Sequence, residues 1–506
     1  MRTRLLSPQR DLTDLPALPP RSEELRRDLG LEPLLAAMAD GDDDVYRVAE
    51  RMLLGATATA AEIRHRHAVL RDCIAHPAEV AELRRIAVDA VEQERRNYFG
   101  LFTRATPEKV LYRSLDVLDM FVEVFARLRT TCARYAPLFR SAGLRAFLAE
   151  VATELDDAYL TEVRAHLREL RFARGELVSA RLGMGNHGTD YTLRRAGPVG
   201  RRGWPHREPG GVGFDVTEVD GPGGEDLAAL AGRGVRTAAD SLAQATDHVA
   251  RYFQTIADEL GFYLGTVALL TALTERGGAW CLPEPIELQE DPPGFAADGL
   301  YDPTLLLGGR GPDASVGPAV GSTVDATGRS LVVVTGANGG GKTTFLRSVG
   351  IAQLMLRCGM FVPARAYRGG VFPRVFTHSA PREDPAAGGR LEDELARMSA
   401  IADHIRPGDL ILLGESMAST NEQEGAVLAR EVVTALQDAG VTVVYVTHMF
   451  TLADGFHRRG DPRDAFLRAE RLGDGTRTFA MVPGRPLATS YGIDLYRSVI
   501  GEPSPT

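Results

Sequence analysis

Ser330 to Val349 reads SLVVVTGANGGGKTTFLRSV, and the organisation of the chain is worked out from this stretch. The run Leu331-Val332-Val333-Val334-Thr335 is β-branched and apolar without alternation, the pattern of a short buried strand. It breaks at Gly336 into a glycine-rich turn, and a helix is expected to open near Lys342. Gly336, Gly341, Lys342 and Thr343 fit the spacing G-x-x-x-x-G-K-[ST] in the strand–loop–helix setting that the pattern requires. The chemistry explains the spelling. Glycines, here Gly336, Gly339, Gly340 and Gly341, let successive backbone N–H groups converge on phosphate oxygens, and the helix N-terminus adds its positive dipole end. Lys342 is expected to bridge the β- and γ-phosphates, and the Thr343 hydroxyl to bind Mg²⁺. The alternative is a glycine-rich turn with no ligand, against which stand four fixed positions with the right flanks. The stretch predicts a nucleoside triphosphate site.

The 506 residues suffice for roughly three domains. A hydrophobic share of 44% and a charged share of 25% are ordinary for a globular protein. The net charge of −10 excludes a basic nucleic-acid coat, though not local basic patches. Cys73, Cys132, Cys281 and Cys358 are scattered and read as reduced, buried thiols. The N-terminus MRTRLLSPQRDL has no apolar core of signal-peptide length. The longest apolar stretch, Gly261 to Leu273, is too short to span a bilayer. A cytoplasmic protein without a membrane partner is expected.

Residues 1–21 are expected to form an irregular arm, and residues 22–277 a mostly α-helical core or lever domain. After Pro107, the residues Leu111, Leu115, Leu118, Val122 and Phe125 form one stripe of an amphipathic helix. A second long helical pattern covers roughly 140–171. Between about 175 and 234 the chain turns dense in Gly, Pro and Arg, which disfavours a long helix and suggests a small β insertion or a tip joining two helices. Arg194, Arg195, Arg201 and Arg202 lie there, near Tyr191 and Trp204. Arginines beside aromatics suit phosphate contacts and base stacking, and they equally suit a solvated insertion. From Thr237 to Thr274 helical periodicity returns, with Gly261 and Gly265 marking close approach of another helix. His65, His67, Cys73 and His76 resemble metal ligands on a quick reading. On a helix, positions 65 and 67 face different directions, and they are expected to be solvated or packed.

An α/β nucleotide-binding domain is expected over residues 278–506. Ala386-Ala387-Gly388-Gly389-Arg390 opens a helix whose N-terminus is a second anion-binding element. Beside a phosphate loop, Gly388 and Gly389 become candidates for reaching the γ-phosphate of a neighbouring subunit. The apolar strand Asp409–Leu413 ends in Gly414-Glu415-Ser416. An acid at such a strand tip can orient or deprotonate a water attacking the γ-phosphate, which makes Glu415 a catalytic candidate. The strand Val441–Val446 ends in Thr447-His448, and His448 there can hydrogen-bond the γ-phosphate or the attacking water. Alone it would read as an ordinary strand-end histidine; its order after the phosphate loop and Glu415 favours the functional reading.

With those residues in place, the string TGANGGGKTTFLRSVGIAQLMLRCGMFVPA (Thr335–Ala364) resembles the ATPase domain of the MutS family of DNA mismatch-repair proteins. That family typically carries T-G-P-N-x-x-G-K-S-T, a helix, and a G-x-F-V-P-A turn. Asn338, Lys342, Thr343, Thr344, Phe361, Val362, Pro363 and Ala364 match it. The family segment D-E-x-G-x-G-T-S is echoed by Gly414 to Thr420, and its A-T-H by Val446-Thr447-His448. The likeness covers roughly 328–455. The helical region before it resembles the family's core and lever domain by pattern only.

The resemblance implies an ABC-class P-loop ATPase domain using ATP and Mg²⁺, and a homodimer whose two sites are composite. Loop amides with Asn338, Lys342, Thr343 and Thr344 would hold nucleotide, and Thr343 with Glu415 would hold the metal. Glu415 would position the lytic water and His448 would sense the γ-phosphate. Gly388, Gly389 and Ser419 would complete the partner's site. Three departures qualify this. The chain begins almost directly with helices, so N-terminal mismatch-reading and connector domains are not expected in it. No Phe-x-Glu stands in a wedge context. Gly414 replaces the aspartate that helps hold Mg²⁺, which implies slow hydrolysis. ATP-dependent binding to double-stranded DNA, in mismatch repair or recombination, is the expected function. The rivals are a nucleotide-switched scaffold with little hydrolysis, and an ATPase acting on RNA or ribosomes.

Overall fold

The computed structural model describes residues 2–9, 18–55, 58–98, 106–172, 177–184, 188–194, 222–287, 294–308, 319–379, 390–472 and 476–487. The elements in chain order begin with α1 (Ser22–Leu29), α2 (Glu32–Ala39), α3 (Asp43–Gly55) and α4 (Ala60–Ala75). Next come α5 (Pro77–Tyr98), α6 (Pro107–Tyr135), α7 (Ala142–Glu154), α8 (Asp157–Leu170), β1 (Leu177–Leu182), β2 (Gly188–Arg194) and α9 (Pro222–Glu275). Then follow β3 (Glu284–Ile286), β4 (Phe295–Leu300), α10 (Pro303–Leu307), β5 (Ser322–Asp325), β6 (Leu331–Thr335) and α11 (Lys342–Cys358). The last are β7 (Ala366–Gly370), β8 (Val375–Ser379), α12 (Arg390–Ala402), β9 (Leu410–Gly414), α13 (Glu422–Asp438), β10 (Thr442–Val446), α14 (Phe450–Arg459), β11 (Asp464–Arg471) and β12 (Arg477–Pro483). This is a mixed α/β chain with a large helical share and parallel strands.

Contacts divide the chain into two compact units. One holds Met1–Thr3, Ala81–Phe139 and Arg145–Ala257; the other holds Arg4–Val80, Arg140–Leu144 and Asp258–Thr506. Helices α1 to α4, which composition groups with the helical domain, therefore share contacts with the sheets. Helix α9 contributes residues to both units.

In the first unit, α6 starts where Thr106 caps it, its side chain accepting from Lys109 N, with Pro107 at the first helical position. The stripe Leu111, Leu115, Leu118, Val122 and Phe125 is buried as expected. Phe121 and Phe125 stack on Phe253 of α9, with ring centroids 5.5 and 4.9 Å apart. The pattern over 140–171 is two helices, not one. Asp156 breaks it by accepting from Tyr159 N at 2.7 Å and so capping α8. The Gly- and Arg-rich stretch does contain a β element, the antiparallel pair β1–β2. It is helical again from Pro222, earlier than composition suggested, because proline is well tolerated at a helix start.

Among the described residues, the second unit carries two sheets. The larger has order β12-β11-β6-β10-β9-β8, parallel throughout except for the antiparallel β11–β12 edge. Strands β6 and β10 are buried at every position, which is why they read as continuous apolar runs. Ile411, Leu413, Val443, Tyr445, Phe456 and Met398 fill one side of this core. The smaller sheet has order β3-β7-β4-β5.

Helices pack closely in this unit too. A Cβ added at Gly265 of α9 would lie 2.8 Å from Val45 Cγ1 and 2.9 Å from the Met38 carbonyl, the close approach that its glycine implied. The described part of the N-terminal arm is irregular, yet Leu5 is fully buried, with its N–H donating to Glu259 and its carbonyl accepting from Tyr263. The 44 residues Gly232–Glu275 are long and apolar enough to cross a membrane, but 72% of their most apolar window is buried within the protein. His67 is buried and its pKa is pressed down to about 4 by that burial, whereas His65 Nε2 lies 3.1 Å from the Arg4 carbonyl. Among the described residues, no three His, Cys, Asp or Glu side chains come together as metal ligands.

Candidate functional site

Parallel strands that lie side by side end at the same edge of their sheet. Strands β6, β10 and β9 do so at Thr335, Val446 and Gly414, which brings three loops together: Gly336–Gly341, Glu415–Thr420 and Thr447–Met449. In open α/β sheets, ligands bind beyond these carboxyl ends. Two backbone bonds fasten the loops to neighbouring strands. Glu415 N donates to the Val446 carbonyl at 2.9 Å, and Thr447 N donates to the Val334 carbonyl at 3.0 Å.

The glycines of the first loop are required by shape as well as by any ligand. Gly336, Gly339 and Gly341 have φ of 137°, 72° and 89°, a region where only glycine sits without strain. A Cβ on Gly336 would lie 2.7 Å from Ala469 Cβ, and one on Gly341 would lie 2.9 Å from the Phe479 carbonyl. The hairpin β11–β12 therefore presses directly on the loop. From the same hairpin, Arg477 Nη1 lies 3.5 Å from the Gly339 carbonyl.

Gly341 caps α11, so Lys342, Thr343 and Thr344 stand in the helix's first turn, where backbone N–H groups have no helical partner. The Lys342 side chain is 4% exposed. Its Nζ donates to the carbonyls of Gly336 at 2.9 Å and Ala337 at 3.2 Å, and to Asn338 Oδ1 at 3.3 Å. Burial lowers its pKa, and the Glu415 carboxylate, 3.7 Å away, works in the opposite direction. Thr343 is exposed and Thr344 half-buried.

Glu415 lies between two cations. Its Oε1 faces Lys342 and its Oε2 is 3.7 Å from His448 Nδ1. His448 first, and Lys342 second, pull the Glu415 pKa below the ordinary carboxylate value despite partial burial. Glu415 in turn raises His448 above the ordinary imidazole value. The loop, the acid and the histidine singled out from the sequence thus meet in one place.

Ser419 is half-buried, and the Glu394 carboxyl of α12 is fully buried, its pKa raised by that burial. Gly388, Gly389, Arg195, Arg201 and Arg202 lie outside the described residues. Arg194 belongs to the first unit, exposed on β2, with Nε donating to Ser179 Oγ at 2.9 Å.

The residues that hold the Glu415 loop were not anticipated from the sequence. Glu415 and Met417 have φ of 51° and 62°, left-handed conformations that cost about 1–3 kcal/mol each in side-chain-bearing residues. Buried contacts hold this conformation. Met417 is 1% exposed in the core, and Tyr445 OH donates to the Ser416 carbonyl at 2.6 Å. His378 of β8 has its pKa pressed down to about 4 by burial, so the ring is neutral at pH 7. Its Nε2–H donates to the Glu394 carbonyl at 3.0 Å, Nδ1 lies 2.8 Å from the Ser416 hydroxyl, and that hydroxyl donates to the His378 carbonyl at 2.8 Å. A histidine in a short strand that opens with Val375 and Phe376 was the available signal.

Comparison with known proteins bears on the family. A family model described as MutS domain V matches residues 332–504, which include the glycine loop, Glu415 and His448. A second, described as the MutS2 N-terminal domain, matches residues 58–276. The chain belongs to the MutS family. It is 31% identical over 219 residues to the DNA mismatch repair protein MutS 2 of Halobacterium salinarum, covering 42% of this chain and 25% of that one. It is 33% identical over 180 residues to the DNA mismatch repair protein MutS of a Synechococcus species, covering 35% and 20% respectively. It is 34% identical over 125 residues to the Endonuclease MutS2 of Carboxydothermus hydrogenoformans, covering 24% and 16%. The matches therefore span a quarter or less of these MutS-family relatives.

Proposed function

We propose that this MutS-family chain is an ATPase with a P-loop domain over residues 278–506, which couples ATP binding and hydrolysis to binding of double-stranded DNA in mismatch repair or recombination. The observation that carries the proposal is the convergence of Lys342, Glu415 and His448 at the carboxyl ends of three parallel strands. The local chemistry fits a nucleotide. The left-handed glycines free loop N–H groups, the first turn of α11 supplies more, and Lys342 adds a buried cation. The loop amides, Asn338, Lys342 and Thr344 would hold the phosphates, with Lys342 Nζ turning from its own loop carbonyls toward them. Thr343 and Glu415 would hold Mg²⁺. When bound, the ion neutralises charge on the β- and γ-phosphate oxygens.

The Glu415 carboxylate, ionised because His448 and Lys342 lower its pKa, is the group able to accept a proton from an attacking water. His448, held by Glu415 at the rim, would meet the γ-phosphate. The MutS family reading further suggests a cytoplasmic homodimer with composite sites completed by Gly388, Gly389 and Ser419, and a helical core or lever domain over 22–277. Gly414 favours one second reading, a nucleotide-switched scaffold with little turnover. Steady-state ATPase assays with plain, mismatched and branched duplex DNA separate the two, since only the first predicts DNA-dependent turnover. Calorimetry of Lys342→Ala tests the site itself. The variant should lose tight ATP binding, and unchanged affinity would remove the phosphate-loop assignment.

A further inference from the structure

Position 414 is where the family motif places an aspartate, and here it is glycine. The surrounding structure shows what takes up the space. Gly414 is the last residue of β9, and its registered neighbour in β8 is Ser379. Residues in register on adjacent parallel strands direct their side chains to the same face of the sheet. A Cβ built on Gly414 would lie 2.9 Å from Ser379 Oγ and 3.3 Å from Leu346 Cδ2. Leu346 is three residues beyond Thr343 on α11, and residues three apart share a helix face. The face at position 414 is therefore the face on which α11 packs, the helix whose first turn includes Thr343. The Ser379 hydroxyl stands on it, at the point where an aspartate side chain would begin. Arg397 of α12 fixes the strand end by donating from Nη2 to the Ser379 carbonyl at 2.9 Å.

We propose that Ser379 Oγ replaces the missing carboxylate of position 414 in orienting the nucleotide's Mg²⁺, by accepting a hydrogen bond from a metal-bound water. This rests on the ATP reading above and extends it to a residue of β8. A serine hydroxyl has two lone pairs for such a bond. Mg²⁺ keeps several of its waters and takes few protein ligands, so outer contacts of this kind set its orientation. A neutral hydroxyl holds a metal-bound water less strongly than a carboxylate does. A Cβ at 414 would crowd the hydroxyl at its present position.

The test is the binding of a fluorescent ATP analogue to the full chain across a Mg²⁺ titration, with Mn²⁺ binding followed by electron paramagnetic resonance. Ser379→Ala should leave metal-free nucleotide affinity unchanged and raise the half-saturating Mg²⁺ concentration about 10-fold, the low end of the 10–100-fold seen when outer-shell partners are lost. Gly414→Asp alone, crowded by Ser379 Oγ, should not tighten Mg²⁺. The double variant Ser379→Gly with Gly414→Asp gives the carboxylate room and should bring the half-saturating concentration below that of the wild type. A Ser379→Ala protein that binds nucleotide with wild-type Mg²⁺ dependence overturns the role of Ser379 and leaves the ATP reading standing. A wild-type protein that binds no nucleotide overturns both.

Discussion

Arg66 Nη1 lies 3.2 Å from the carbonyl oxygen of Cys358, the last residue of the helix that Lys342 begins. The guanidinium also reaches the Arg357 carbonyl at 3.3 Å and, through Nε, the Leu6 carbonyl at 2.6 Å. It is 1% exposed. A cation at a helix C-terminus meets the negative end of the helix dipole and the carbonyls that have no helical partner. Arg66 thus joins α4 and the N-terminal arm to the far end of the helix whose first turn forms the candidate nucleotide site. Arg66→Met keeps most of the apolar stem but leaves three carbonyls without their donor. It should destabilise the sheet-bearing unit by about 1–3 kcal/mol, the usual penalty for a buried polar group left unsatisfied. Urea unfolding followed by circular dichroism measures it, and an unchanged midpoint would show that water replaces the guanidinium without loss.

The arginines of the Gly-rich stretch give a prediction about DNA. Replacing Arg194, Arg195, Arg201 and Arg202 by Ala should weaken duplex binding and flatten its salt dependence, with each lost phosphate contact reducing the log–log slope by about 0.9. ATP binding should survive, since Arg194 lies in a different unit from the glycine loop. An unchanged salt slope in fluorescence anisotropy would make this stretch a linker or a protein-binding tip.

The strands that place the candidate site were legible in the sequence because each is buried on both faces and so appears as an unbroken apolar run, as in Leu331–Val334 and Val443–Val446. Glu415 and His448 were legible as polar residues just beyond such runs. The supports of the Glu415 loop were not, because they come from distant parts of the chain. His378 meets Ser416 across 38 positions, and Glu394 lies on a separate helix. Ser379 escaped notice for the same reason: its relation to Gly414 exists only through strand register. The helix break at Asp156 is a local signal that periodicity masked, since apolar spacing continues on both sides of the cap.

Glu415→Gln should retain ATP binding and slow hydrolysis by about 10²–10⁴-fold, the range that a positioned general base contributes. The carboxamide cannot take a proton from water, and it also removes the negative charge between Lys342 and His448. If the sites are shared between subunits, the trapped ATP state should be the more stable dimer. Single-turnover hydrolysis and analytical ultracentrifugation with ATP check both points. A monomer at every concentration would count against composite sites, and wild-type turnover would remove Glu415 as the base.

The pair His448 and Glu415 also predicts a pH response whose sign can be worked out. The His448 pKa is raised above its ordinary 6.5 by the neighbouring carboxylate, and that of Glu415 is lowered below its ordinary 4.5. The histidine's contribution to stability is fully present below pH 6.5 and is lost as pH rises through its elevated folded value. The carboxylate's contribution is present above pH 4.5 and is lost as pH falls through its depressed one. The pair is therefore intact from about pH 4.5 to somewhat above pH 6.5. His448 is 42% exposed and Glu415 33% exposed, so solvent and salt screen the interaction and the effect on global stability should be small. The titration itself is the sensitive readout. In an NMR pH titration the His448 ring should show a pKa above 6.5 at low salt, moving toward 6.5 as salt is added. In Glu415→Gln it should fall further, because Lys342 then opposes the imidazolium charge with no carboxylate between them. A His448 pKa that is the same in the wild type and Glu415→Gln would mean that the two side chains do not share a proton-linked contact in solution.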